Sequence, residues 1–111
     1  MQFELLIKKA LQVRALYEKF EKSAYGKSWT KENIAQGFVG DMGDLMKLVM
    51  AKEGIRKIDD VDVKLAHELS DCLWSVLILA DMYGIDLEKS FLKNMDALEA
   101  QIIIMQSSIQ K

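Results

Sequence analysis

An all-α domain, a bundle of four to five helices, is predicted by three features of the sequence. There is no proline, and no Asn-Gly or Asp-Gly dipeptide marks a tight hairpin. Apolar residues recur at three- and four-residue spacing almost throughout, the period of an amphipathic helix. The periodic segments are long and are separated by short polar or glycine-bearing breaks.

The first helix is expected from about Phe3 to Lys22, with Leu6, Ala10, Val13, Leu16, Tyr17 and Phe20 on its apolar face. The stretch "SAYGKSW" ends it around Gly26. Thr30 has the side chain of an N-cap, so the second helix should run from Lys31 to about Lys52, with Gly54 as its stop. A polar connector, "IRKIDDVD", follows, and Asp59 or Asp60 can cap the third helix. That helix should continue to about Tyr83 and end at Gly84. Asp86 then caps a fourth helix reaching close to the C-terminus. The third helix contains "CLWSVLILA", apolar nearly all round, so it should be the central one, packed by the other three or by those of a second subunit.

A chain of 111 residues suggests one domain, residues 1–111. The net charge of −2 and the lack of any basic helix face argue against a nucleic-acid partner. No apolar run reaches the roughly 18 residues that a membrane span needs. The opening "MQFELLIKKALQ" lacks the layout of a signal peptide. Cys72, a single cysteine in an apolar run, reads as a small buried hydrophobe in a reducing compartment, so a cytoplasmic location is expected.

The chemistry-bearing residues are four carboxylates. Asp41 and Asp44 are an i, i+3 pair on the second helix, and Glu68 and Asp71 are such a pair on the third. Phe38, Leu45 and Leu48 surround the first pair, and Leu65, Leu69, Cys72 and Trp74 the second. One such pair is ordinarily a solvated stripe. Two pairs on consecutive apolar helices need compensation, because unpaired buried carboxylates are costly and repel one another. A hard divalent cation supplies it, and carboxylates from facing helices are an established way to hold one.

Glycines fall at 37, 40 and 43, three apart. Gly37 and Gly40 each lie four residues before an aspartate, so each aspartate leans over a glycine. A mid-helix glycine costs about 0.5–1 kcal/mol relative to alanine. Either close helix packing or space for a ligand would account for them. Met42, Met46 and Met50, at four-residue spacing, read as flexible core filling. His67 points about 100° away from Glu68 on a helix and reads as a surface or supporting group rather than a ligand. No nucleophilic triad, P-loop or zinc-ligand spacing is present.

The stretch "GDMGDLMKLVMAK" followed by "HELSDCLWSVLILADMYGIDLEKSFLKNM" resembles the MazG-like nucleotide pyrophosphohydrolases of the all-α NTP pyrophosphatase superfamily, above all their short, single-domain, dCTP-pyrophosphatase-like branch. The resemblance covers roughly residues 26 to 96. The family motif is E-x-x-E on one helix and E-x-x-D on the next. Here the two read Asp41-Met42-Gly43-Asp44 and Glu68-Leu69-Ser70-Asp71, with 23 residues (45 through 67) between them. "GIDLEKSF" matches the family's entry into the last helix.

The resemblance implies Mg²⁺-dependent hydrolysis (with Mn²⁺ as a substitute) of a nucleoside triphosphate to a monophosphate and pyrophosphate, an activity suited to clearing a nucleotide pool. Asp41, Asp44, Glu68 and Asp71 would be the metal-holding, catalytic residues. Trp29 would stack on the base, unless it is simply core. Lys52, Lys93 and Asn94 would contact phosphates. The resemblance also implies self-association, as a homodimer or a dimer of dimers.

The chain departs from the pattern in two places. Both glutamates of the first motif are aspartates, so a metal would sit closer to the second helix or bind through water. In an ungapped reading the last helix has Asn94 at the family's lysine position, with Lys93 one place early, and Leu98 at a later asparagine position. "LEAQIIIMQSSIQ" has no basic residue at all. Those departures motivate the alternative of a helical interaction module that keeps the fold without the chemistry. The apolar tail, Ile102, Ile103, Ile104, Met105 and Ile109, would pack on the first helix or form a subunit interface.

Overall fold

The structure is a computed structural model that describes residues 2–109. Its four helices are α1 (Gln2–Tyr25), α2 (Lys31–Lys52), α3 (Val61–Met82) and α4 (Leu87–Ile109), and there is no strand among the described residues. None of the helices is long and apolar enough to cross a membrane.

The ends of α2 follow from local chemistry. Thr30 closes a capping box: its hydroxyl accepts from the Asn33 backbone N–H at 3.2 Å, and the Asn33 side chain accepts from the Thr30 backbone N–H at 3.0 Å. Gly54 and Gly84 stop α2 and α3 at φ +82 and +68, a backbone region that glycine enters without strain. Asp86 caps α4 by accepting from the Lys89 N–H at 3.1 Å. The start of α3 differs from expectation. Asp60 occupies the N-cap position, but in the left-handed region at φ 54 and with no side-chain cap bond.

α2 and α3 run antiparallel along each other. Lys31 sits over the Tyr83 ring, Ile34 packs with Leu77 and Ile78, and Lys52 pairs with Asp62, so the register falls along α3 as it rises along α2. α1 packs mainly against α3. Ala10, Ile34, Leu77 and Ile78 form the buried cluster, flanked by Phe3, Ile7, Leu11, Trp74 and Leu79. The Trp74 indole N–H donates to the Ala10 carbonyl at 3.3 Å, and its ring meets Tyr17 edge-on at 5.9 Å.

Three expectations about packing are corrected. The face that α1 buries is rotated from the predicted one: Ala10, Arg14 and Glu21 are buried, whereas Leu6, Leu16, Tyr17 and Phe20 are exposed. Met42 and Met46 are exposed rather than core. α4 buries none of its residues, so the apolar tail does not pack on α1. The radius of gyration is 18.3 Å, where a compact chain of this length would have about 13 Å. α3 is therefore central to α1 and α2, and α4 meets the buried cluster through Leu87 at its start.

Candidate metal centre and substrate cavities

The antiparallel register of α2 and α3 decides which carboxylates meet. Asp41, Asp44 and Glu68 each offer a carboxylate oxygen within 4.8 Å of the others, a spacing that one ion could bridge. Asp44 is exposed, while Asp41 and Glu68 are half-buried. Glu68 Oε2 is buried and has no hydrogen-bond partner. A buried carboxylate oxygen without a donor is costly, and a cation is the partner that its chemistry fits. The hard-oxygen donor set suits Mg²⁺ or Mn²⁺ better than a soft metal.

Asp71 does not join this group. Its Oδ2 faces His67 Nε2 at 3.1 Å, one helical turn back along α3. His67 is thus a surface residue in contact with Asp71, in keeping with its reading as a surface or supporting group rather than a ligand. Asp71 still acts through its field. Burial first, then the negative charges of Asp71 and Asp44, push the Asp41 carboxyl above the usual aspartate range, with His67 partly offsetting. Glu68 is raised in the same way, by burial and then by Asp71, Asp41 and Asp44. Burial and the neighbouring Asp41, Glu68 and Asp71 also raise the Cys72 thiol, which disfavours the reactive thiolate, although Cys72 is half-buried rather than fully buried as expected.

The raised carboxyls set a pH dependence. Between its ordinary and its raised pKa, each group holds a proton in the folded state that it has lost in the unfolded state. The contribution of these two groups to folding stability is therefore fullest below their ordinary values and is lost as pH rises through the raised ones. Metal-free protein is expected to lose that contribution as pH rises above about 4.5, the ordinary glutamate value, and saturating Mg²⁺ should flatten that slope. Urea unfolding at several pH values, with and without Mg²⁺, measures both; a slope that Mg²⁺ leaves unchanged would count against a cation at these residues.

Two cavities flank the carboxylates. The first, about 520 Å³, is lined by Tyr17, Trp29 and Trp74 with Arg14, Glu21, Gly37, Asp41 and Asp71. The second, about 400 Å³, is lined by Asp44, Lys47, Lys64, His67 and Glu68 over Leu48, Ile58 and Val63. Trp29 is half-exposed and faces a cavity, so it is not a core residue. A buried charge pair that sequence reasoning missed holds it there. Arg14 Nη1 lies 3.4 Å from both oxygens of Glu21. Arg14 Nη2 donates to the Trp29 carbonyl at 2.9 Å, and the Trp29 N–H donates to Glu21 Oε1 at 2.7 Å. The only hint in the sequence is that Arg14 and Glu21, seven residues apart, share a helix stripe with Ala10.

The three glycines separate. A Cβ on Gly37 would lie 3.2 Å from Trp29 Cζ3, so that absent side chain makes room for the indole. At Gly40 and Gly43 no described residue lies within 4 Å of where a Cβ would stand, so helix packing among the described residues is not their reason. Gly40→Ala is accordingly expected to raise stability by about 0.5–1 kcal/mol, whereas Gly37→Ala should gain less because the ring must shift. Urea unfolding of the two variants checks the order. A net loss from Gly40→Ala would mean that its open face is covered in solution.

The remaining expected contacts are not brought to the site. Lys52 is exposed and bonded to Asp62 at 2.6 Å. Lys93 and Asn94 are exposed on α4, and none of the three lines either cavity.

No curated protein and no solved structure matches the chain. A family model described as the MazG nucleotide pyrophosphohydrolase domain matches residues 31–101, from the start of α2 well into α4. The matched segment exceeds half the chain and contains both carboxylate pairs, while α1, with Arg14, Tyr17 and Glu21, lies outside it. With the all-helical fold and the carboxylates converging from α2 and α3, the chain belongs to the MazG nucleotide pyrophosphohydrolase domain family.

Proposed function

We propose that this protein is a Mg²⁺-dependent pyrophosphohydrolase that converts a ribo- or deoxyribonucleoside triphosphate to the monophosphate and pyrophosphate, with Mn²⁺ able to replace Mg²⁺. The observation that carries the reading is the convergence of Asp41, Asp44 and the unpartnered Glu68 Oε2 beside an aromatic cavity. Those three residues would hold the cation. Asp71 would join them when its contact with His67 opens. A divalent cation bound there supplies neutralisation of phosphate charge and a lowered pKa for water.

The protein's own residues do the rest. Trp29, with Tyr17 and Trp74, presents aromatic surface to the base. Arg14 and Glu21 keep Trp29 in place through its backbone, so the base end is pre-organised. Asp41 lines the aromatic cavity and belongs to the carboxylate group, which links the nucleoside to the reacting phosphates.

Self-association belongs to the same proposal. α4 exposes Phe91, Leu92, Met95, Leu98 and Ile102 to Met105, an apolar surface that a second copy of the chain would cover. Lys93 and Asn94 lie on that helix, so they would reach a site only from another subunit, and Lys52 would reach phosphate only by leaving Asp62.

The test is to incubate the protein with a panel of nucleoside triphosphates, with and without Mg²⁺, and to measure pyrophosphate. Release that depends on Mg²⁺ and stops on chelation is expected. No turnover of any nucleotide, with no thermal stabilisation by Mg²⁺ plus a non-hydrolysable analogue, would sink the reading and leave a helical interaction module.

A further inference from the structure

The two cavities differ in charge, and that difference gives the site a direction. Both touch the carboxylate group: Asp41 lines the aromatic cavity, whereas Asp44 and Glu68 line the other. The second cavity has no aromatic side chain other than the His67 imidazole, and it carries two lysines. Lys47 is three residues after Asp44 on α2, and Lys64 four before Glu68 on α3. Each lysine therefore shares a helix face with a carboxylate of the group. One lysine lines the cavity from α2 and the other from α3.

These lysines are not occupied elsewhere. Lys52 is paired with Asp62 and Lys31 lies over Tyr83, but Lys47 and Lys64 have no ion pair or hydrogen bond among the described residues. Cations facing an open cavity without partners suit an anionic ligand. Charge balance demands such groups. Three carboxylates carry more negative charge than one divalent cation offsets, so a phosphate chain arriving beside them meets repulsion unless further cations are present. α4 supplies no cation to this cavity.

We propose that Lys47 and Lys64 form the phosphate-binding wall of this site, taking the pyrophosphate end of the substrate while the base lies in the aromatic cavity. The assignment rests on the hydrolase reading for the identity of the substrate, but the pyrophosphate site is testable without turnover. Lys47→Gln and Lys64→Gln remove charge while keeping length and helix propensity.

Calorimetric titration with inorganic pyrophosphate in the presence of Mg²⁺ is the experiment. Each variant should lose affinity about tenfold, the value of one charge-assisted hydrogen bond. Nucleoside monophosphate should inhibit turnover by both variants as well as it inhibits the parent protein, because its base end is untouched. Lys89→Gln, the same charge change on α4, should leave pyrophosphate affinity unchanged. Unaltered pyrophosphate affinity in both site variants, or no pyrophosphate binding by the parent protein, overturns the assignment. Lysine-dependent pyrophosphate binding without turnover of any triphosphate supports the phosphate wall and sinks the hydrolase reading instead. Turnover with lysine-independent pyrophosphate binding does the reverse.

Discussion

Glu68→Gln is expected to reduce Mg²⁺-dependent pyrophosphate release by about 10²–10³-fold, because a bound cation is worth several kcal/mol of transition-state stabilisation. The size of the effect follows from where Glu68 sits. Its Oε2 is buried without a donor, and its other neighbours within the group are Asp41 and Asp44, which repel it. Glutamine has nearly the same shape and no charge, so it removes the proposed metal-holding group without opening a void. The substitution also separates chemistry from folding. Metal-free Glu68→Gln should be at least as stable as the parent near neutral pH, since one of several crowded negative charges is gone. Thermal stabilisation by Mg²⁺ should largely disappear. A variant that keeps its turnover would exclude Glu68 from the metal centre. A variant that loses turnover, yet is still stabilised by Mg²⁺ as strongly as the parent, would place the cation elsewhere.

Arg14→Ala is expected to destabilise the fold by about 3–5 kcal/mol, the usual result of removing one partner of a buried ion pair. Arg14 and Glu21 are 5% and 6% exposed. Without the guanidinium, Glu21 is left in the interior without its cationic partner, and the Trp29 carbonyl loses its donor at 2.9 Å. A domain of this size has about 5–15 kcal/mol of stability in total, so the loss is a large fraction of it. The core is small, with Ile34 and Ile78 as its largest fully buried side chains, and offers little to compensate. Urea unfolding followed by far-ultraviolet circular dichroism measures the effect; a loss under about 1 kcal/mol would show that the pair is solvated rather than buried. Replacing both partners, as Arg14→Met with Glu21→Leu, should recover much of the stability, because no lone charge remains. It should not recover nucleotide affinity, because Trp29 would still lack both backbone anchors. KM for the triphosphate in the double variant therefore distinguishes a positioning role from a purely structural one.

Much of the secondary structure is legible because its signals are local. Thr30 with Asn33, Gly54, Gly84 and Asp86 each act within a few residues, through backbone donors and acceptors left open at helix ends. The observed limits of α2, Lys31–Lys52, are those the sequence predicts. The candidate site is legible in part. Two i, i+3 carboxylate pairs can be read from spacing, as can the resemblance to the family that the domain match supports. The resemblance cannot show that Asp71 turns to His67 while Asp41, Asp44 and Glu68 converge. Side-chain direction on a helix depends on which partners lie within reach, and spacing alone does not choose between them.

The composition and periodicity of this chain by themselves determine four helices, most of their ends, and the two helix faces on which the carboxylates lie. Tertiary structure alone decides the rest. It buries Arg14 and Glu21 and leaves Leu16 and Phe20 exposed, a reversal that no hydropathy pattern contains. The Arg14 charge is accommodated inside because Glu21 and, fifteen residues away, the Trp29 carbonyl meet it there. It leaves α4 without a buried residue, although its sequence is as apolar as that of a packed helix. It sets Lys47 and Lys64 around one cavity and the aromatic residues around another. The physical reason is common to all of these. Helix formation is governed by contacts within a turn or two, whereas burial, pairing and charge placement depend on how the helices cross.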